Sequence, residues 1–159
     1  EVVVSDISYI NKDFQAEKLN EQKFIDDTVS KFSLNTEQEC AFRIVANHAT
    51  LHKTEPLKIY LGGMGGTGKS QVIKALIAFF ELRKEKHRIM ILAPTGSAAA
   101  LLERSTYHSA LGIQTKAMKK NEHTNLAQVY ARLEGVEYIF LDEVSMLSCL
   151  DLYKISAQL

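Results

Sequence analysis

The sequence predicts an α/β fold, a parallel sheet with flanking helices built around a phosphate-binding loop. Three observations carry this expectation. Short apolar, β-rich runs alternate with helical segments along the chain. Residues Gly63–Ser70 read Gly-Met-Gly-Gly-Thr-Gly-Lys-Ser, a complete G-x-x-x-x-G-K-[ST] pattern. That pattern lies between an apolar run, Leu57–Leu61, and an amphipathic segment, Ser70–Leu82, so a strand leads into the loop and a helix leaves it.

In chain order, residues 1–33 are polar and acidic and form a helical or flexible lead-in; residues 34–159 hold every motif. Thr36-Glu37-Gln38-Glu39 has capping-box spacing, with Thr36 as N-cap and Glu39 as third helical residue. The helix continues to about Ala49, with Phe42, Val45, Ala46 and Ala49 on one face. After the loop, Val72, Ile73, Leu76, Ile77 and Phe80 mark the core face of the Ser70–Leu82 helix. The basic link Arg83–Arg88 leads to Ile89–Ala93, a continuously apolar run suited to a strand covered on both faces. It stops at Pro94-Thr95-Gly96. Helix is predicted over Ser97–Glu103 and Asn125–Leu133, with a polar loop, Leu111–His123, between them. A strand over Val136–Leu141 ends in Asp142-Glu143, and a helix over Cys149–Leu159 closes the chain. Three strands make a short sheet, so the phosphate-loop fold is expected to be incomplete.

At 46% apolar and 24% charged residues, the composition is that of a soluble globular chain. No apolar run approaches the roughly 18 residues of a membrane helix, so no membrane association is expected. The start lacks the basic and apolar pattern of a secretion signal, and it also lacks Met, as a fragment would. Cys40 and Cys149 belong to no C-x-x-C pair and are expected to be buried thiols in a reducing compartment. Residues 1–40 hold 9 acidic and 4 basic side chains, and residues 41–159 hold 10 and 15. This asymmetry is compatible with nucleic acid on the motif-bearing part, and equally with a solvated mixed surface.

The chemistry follows from residue types. Glycines Gly63, Gly65, Gly66 and Gly68, with Thr67, let backbone N–H groups face phosphate oxygens, and the helix start adds its dipole. Lys69 reaches the β- and γ-phosphates and Ser70 ligates Mg²⁺. Tyr138-Ile139-Phe140-Leu141-Asp142-Glu143 is an apolar strand followed by paired acids. A parallel strand delivers its carboxyl end to the ligand edge of a sheet, where Asp142 would hold Mg²⁺ and Glu143 would polarise water. Two exposed acids at a strand end are the plainer alternative.

Four blocks occur in order: Gly65-Gly66-Thr67-Gly68-Lys69-Ser70, Ala93-Pro94-Thr95-Gly96-Ser97-Ala98-Ala99, Thr106-Tyr107-His108-Ser109 and Asp142-Glu143-Val144-Ser145-Met146-Leu147. Together they resemble the petite-integration-frequency (Pif-one) family of superfamily-1B DNA helicases, and are similar to the related helicase portion of Helitron transposons. The resemblance spans about residues 34–159. It implies a RecA-like motor lobe, truncated here, using ATP and Mg²⁺ to move 5′→3′ on single-stranded DNA. It implies that Gln38, in Asn35-Thr36-Glu37-Gln38, contacts the adenine edge; the segment would also serve simply as a helix cap. It implies that Thr95, Gly96, Ser97, Thr106 and His108 face DNA, against an ordinary turn and a structural histidine. Lys116, Lys119 and Lys120 suit a solvated loop, with phosphate contact as the alternative.

The family's sensing block and second RecA-like lobe are expected downstream, so these residues alone should turn over little ATP. The family roles are DNA repair, recombination and telomere maintenance, in the nucleus or alternatively the mitochondrion. Two other readings stay open: another phosphate-loop enzyme, such as a RecD-like subunit or a transposon ATPase, and a non-catalytic nucleotide- or DNA-binding remnant.

Overall fold

The computed structural model describes residues 7–11, 13–51, 55–96, 105–113 and 126–159. The chain forms two compact units, Glu1–Lys86 and His87–Leu159.

The first unit is helical. A 3-10 turn, Ser8–Ile10, precedes α1 (Leu19–Phe32), α2 (Thr36–Thr50) and α3 (Lys69–Leu82). Helix α1 stops at Ser33, whose left-handed backbone (φ 48°) returns its N–H to Ser30 and Val29 carbonyls. Three residues later α2 begins, and its cap frame differs from the sequence expectation. Asn35, not Thr36, is the N-cap. Its Oδ1 accepts from Gln38 N at 2.9 Å, and Gln38 Oε1 accepts from Asn35 N at 3.0 Å. Asn35 and Gln38 have the same three-residue spacing as Thr36 and Glu39, and asparagine outranks threonine as a cap. Asn35→Ala should therefore cost about 1 kcal/mol of stability, read from a urea transition. No change would mean that the box contributes nothing.

The unit's core lies where α1, α2 and α3 meet. Phe42, Val45, Ala46 and Ala49 of α2 are buried, as are Val72, Ile73, Ala75, Leu76, Phe79 and Phe80 of α3, with Ile25 of α1. Phe79 meets Phe42 and Phe80 edge-on, with centroids 5.9 and 5.5 Å apart. Each such burial is worth about 1.5–3 kcal/mol before entropy. Arg83, just past α3, is buried between Glu21 (3.3 Å) and Glu85 (2.9 Å), over the Phe79 ring. Pairing is what makes a buried guanidinium tolerable, and here it ties α1 to the far end of α3. Asn47 Nδ2 donates to Tyr9 O at 3.2 Å, and His48 Nε2 to Glu55 O at 3.0 Å. These bonds anchor the 3-10 turn and the approach to the phosphate loop.

That approach is not the expected strand. Residues 55–64 carry no regular secondary structure, and Ile59, Tyr60 and Leu61 are exposed. A strand exists through its ladder, and β propensity in Leu57–Leu61 supplies no partner.

The second unit holds the sheet. Strands β1 (Ile89–Ala93), β2 (Ser105–Thr106) and β3 (Tyr138–Leu141) are all parallel, in the order β2-β1-β3. Ile89 pairs with Tyr138 and Leu92 with Leu141. Arg88 Nε and Nη2 grip Glu137 at 3.0 and 2.7 Å, while Glu137 N donates to Arg88 O, so the register is set just ahead of the ladder. Helices α4 (Tyr107–Leu111), α5 (Leu126–Leu133) and α6 (Cys149–Gln158) accompany the sheet. Leu92, Tyr107, Ala110, Leu111, Ile113 and Ile155 form the core, with Met90, Leu133, Ile139, Leu141 and Leu147 against it. Buried Leu92 lies in central β1, which explains its unbroken apolar run. The polar two-residue β2 had no period-2 pattern to reveal it.

Both cysteines are exposed, contrary to expectation. Cys40 lies about 200° around α2 from Phe42, away from the core face. Cys149 opens α6, of which only Ile155 is fully buried. The predicted helix Ser97–Glu103 and the lysines 116, 119 and 120 lie outside the described residues. Among the described residues, no helix is long and apolar enough to cross a membrane.

Candidate functional site

In the first unit the phosphate loop is held by its own side chains. Thr67 Oγ1 donates to Met64 O at 2.9 Å. Lys69 Nζ donates to Gly63 O and Met64 O, both at 2.8 Å. Helix α3 starts directly from the loop. Its N-cap is Gly68, so no side chain covers the first-turn N–H groups, and no acid stands in that turn. The positive end of a 14-residue helix is therefore presented bare, with Lys69 and Ser70 as its first two residues. An uncapped helix start of this kind suits an anion.

Gly68 has two reasons to be glycine. Its φ of 80° is left-handed, and a Cβ there would run into Gln38 Nε2. That amide donates to Thr67 O at 3.3 Å and Gly68 O at 3.4 Å. The first unit thus brings Gln38 together with Thr67 and Gly68, 29 and 30 residues away.

In the second unit, the parallel sheet collects the remaining site residues at one edge. Thr95 and Gly96 follow β1, Thr106 ends β2, and Asp142 and Glu143 follow β3. Asp142 N donates to Leu92 O at 2.9 Å, extending the ladder by one residue. The Asp142 carboxylate then accepts from Glu143 N at 2.9 Å. Glu143 itself is left-handed (φ 52°, ψ 40°) and exposed, at the head of a 3-10 turn, Val144–Met146. A non-glycine residue in that region costs about 1–2 kcal/mol, which the turn bond from Met146 N to Glu143 O helps to offset.

Thr106 caps α4, its Oγ1 accepting from Ser109 N at 3.3 Å. Arg132 Nη1 donates to Ser109 O. His108 lies against the Tyr107 ring, centroids 3.9 Å apart. Burial pushes the Tyr107 phenol up, and the nearby Asp151 carboxylate adds to the shift. The Ser148 hydroxyl donates to Asp151 at 2.6 Å and holds that carboxyl below its usual value, helped by Lys154 and His108. Sequence reading missed this Tyr107–Asp151 support. The Ser148-x-x-Asp151 capping spacing was the available signal. Ser97 lies outside the described residues.

Among the described residues, no cluster of three or more His, Cys, Asp or Glu side chains forms a metal cage. The Ser70 hydroxyl and Asp142 carboxylate are hard oxygen donors of the kind Mg²⁺ takes singly, alongside phosphate and water. The bare α3 start and Lys69 fit a polyphosphate.

Comparison with known proteins identifies the family. The chain is 31% identical over 124 residues to "ATP-dependent DNA helicase PIF4" of Trypanosoma brucei brucei, covering 74% of this chain and 14% of that protein. It is 34% identical over 99 residues to "ATP-dependent DNA helicase PIF1" of Emericella nidulans, covering 55% and 13%. With "ATP-dependent DNA helicase Pif1" of Bdellovibrio bacteriovorus the figures are 32% over 93 residues, 56% and 20%. The chain thus spans a fifth or less of each of these relatives. No solved structure matches it. The family described as PIF1-like helicase matches residues 33–157, which take in the phosphate loop, the turn after β1, the Thr106–Ser109 block and the acidic pair. The chain therefore belongs to the PIF1-like helicase family.

Proposed function

We propose that this chain is the ATP-binding part of a DNA helicase that couples ATP hydrolysis to 5′→3′ movement on single-stranded DNA. The observation that carries this reading is the bare N-terminus of α3, framed by the Gly63–Ser70 loop and Lys69. The loop N–H groups receive the phosphate oxygens, and Lys69 exchanges the Gly63 and Met64 carbonyls for the β- and γ-phosphates. Ser70 and Asp142 would hold Mg²⁺, which would supply charge neutralisation for the phosphates. Glu143 orients and polarises the attacking water. Thr95, Gly96, Ser97, Thr106 and His108 lie against the DNA strand, where small residues and free peptide groups allow close approach. A second RecA-like lobe completes the cleft and supplies the catalytic cation. The biological setting is duplex unwinding in repair, recombination and telomere maintenance, in the nucleus.

Lys69→Ala tests the reading. A charge-assisted bond to phosphate is worth about 1.5–3 kcal/mol, so affinity for a fluorescent ATP analogue should fall about 10–150-fold. Equal affinity in wild type and variant would remove the loop from nucleotide binding.

A further inference from the structure

We infer that Gln38 is a positioning residue that aims the anion-binding N–H groups of the phosphate loop. The inference rests on the phosphate-loop reading above and assigns Gln38 a task independent of the nucleotide base.

Gln38 uses both ends of its amide within the protein. Oε1 accepts from Asn35 N at 3.0 Å, which fixes the side chain in the capping box of α2. With the oxygen so placed, Nε2 is directed at Thr67 O (3.3 Å) and Gly68 O (3.4 Å). These two carbonyls belong to the peptide units Thr67–Gly68 and Gly68–Lys69. In a trans peptide the C=O and the following N–H point in opposite directions; no peptide in the described residues is cis. Drawing both carbonyls towards Gln38 therefore turns the N–H groups of Gly68 and Lys69 away from it. Those groups lie at the join of loop and helix, where an anion is received. Gly68 O also accepts from Gln71 N at 2.9 Å in the first turn of α3. The same carbonyl is thus held from both sides, and the peptide cannot rotate without breaking one of the bonds.

Packing at Gly68 accompanies these two bonds, which are long at 3.3 and 3.4 Å. Gln38 Nε2 occupies the space that a Cβ at position 68 would need. The Gln38 amide and the glycine of the phosphate loop are fitted to each other, and Gln38 is the side chain that links the start of α2 to the loop.

A ligand with no base and no sugar separates this role from adenine contact. Inorganic tripolyphosphate would be titrated by calorimetry into wild type, Gln38→Met and Gln38→Glu. Both variants lose the Nε2 donors, and Gln38→Met does so without adding charge near phosphate. The expected result is a loss of about tenfold or more in tripolyphosphate affinity in both, with ATP losing the same factor in Gln38→Met. Amide resonances of Gly68 and Lys69 should move when tripolyphosphate is added to wild type and should move much less in Gln38→Met. Asn35→Ala weakens the same helix but leaves the Nε2 bonds, so its tripolyphosphate affinity should stay within about twofold of wild type.

Three outcomes overturn the inference. Tripolyphosphate affinity unchanged in both Gln38 variants, while ATP weakens, would place Gln38 on the base alone. An equal loss in Asn35→Ala and Gln38→Met would reduce it to a helix-stability effect. Full-sized Gly68 and Lys69 shifts in Gln38→Met would show that the N–H groups aim themselves. A different failure would strike the underlying reading: wild type that binds neither ATP nor tripolyphosphate, with Lys69→Ala indistinguishable from it.

Discussion

Glu143→Gln should leave ATP binding in place and lower ATP hydrolysis by about 10²–10⁴-fold, the range of a general-base contribution. The substitution suits the local geometry. Glu143 sits at φ 52°, ψ 40°, a conformation that glutamine adopts at much the same cost as glutamate. The neighbouring carboxylate is held through the backbone, because Asp142 Oδ1 accepts from Glu143 N. The amide therefore removes one carboxylate and leaves Asp142 oriented as before. The measurement, made on the chain extended through the second RecA-like lobe, pairs steady-state phosphate release, with single-stranded DNA present, with titration of a fluorescent ATP analogue. A variant hydrolysing at the wild-type rate would take Glu143 out of the mechanism. One that fails to bind would instead assign it to nucleotide affinity.

Phe79→Ala should cost about 3–5 kcal/mol of stability, a large share of the roughly 5–15 kcal/mol that holds a typical domain together. The Phe79 ring is fully buried and is the hinge of an aromatic cluster. It meets Phe42 of α2 and Phe80 of α3 edge-on, and the Arg83 guanidinium lies 5.4 Å from its centre. Truncation leaves a cavity beneath a buried cation whose partners are Glu21 and Glu85. It also loosens α3 about 15 Å along the helix from Lys69. Urea denaturation would read the loss directly, and phosphate affinity should fall with it as the unfolded fraction grows. A change below about 1 kcal/mol would show that the cluster repacks and that α3 is seated by other contacts.

What the sequence alone determined is the local part. Ile89–Ala93 is a strand over the predicted residues, and α3 begins one residue earlier than predicted and ends at Leu82 as predicted. Those bounds follow from the apolar period and from the glycines of the loop, signals that lie within a few residues of what they specify. The core face of α2 was legible for the same reason, and so were Val72, Ile73, Leu76 and Phe80 of α3; predicted Ile77 is only half-buried, and fully buried Phe79 was not among the predicted core residues. The place of the loop ahead of α3, and of the acids after β3, was likewise legible from spacing alone.

Tertiary structure decided whatever depends on a distant partner. Leu57–Leu61 has strand composition and forms no strand, while polar Ser105–Thr106 forms one, because a ladder is a property of two segments. Cys40 has apolar neighbours in sequence and faces solvent, because the helix phase is set by Phe42 and Val45 packing in the core. Thr36 and Asn35 were both acceptable caps, and the structure uses the frame in which Gln38 closes the box. That frame aims Gln38 at Thr67 and Gly68, a pairing no local pattern encodes, since only the packing of α2 beside α3 brings a helix cap to the phosphate loop.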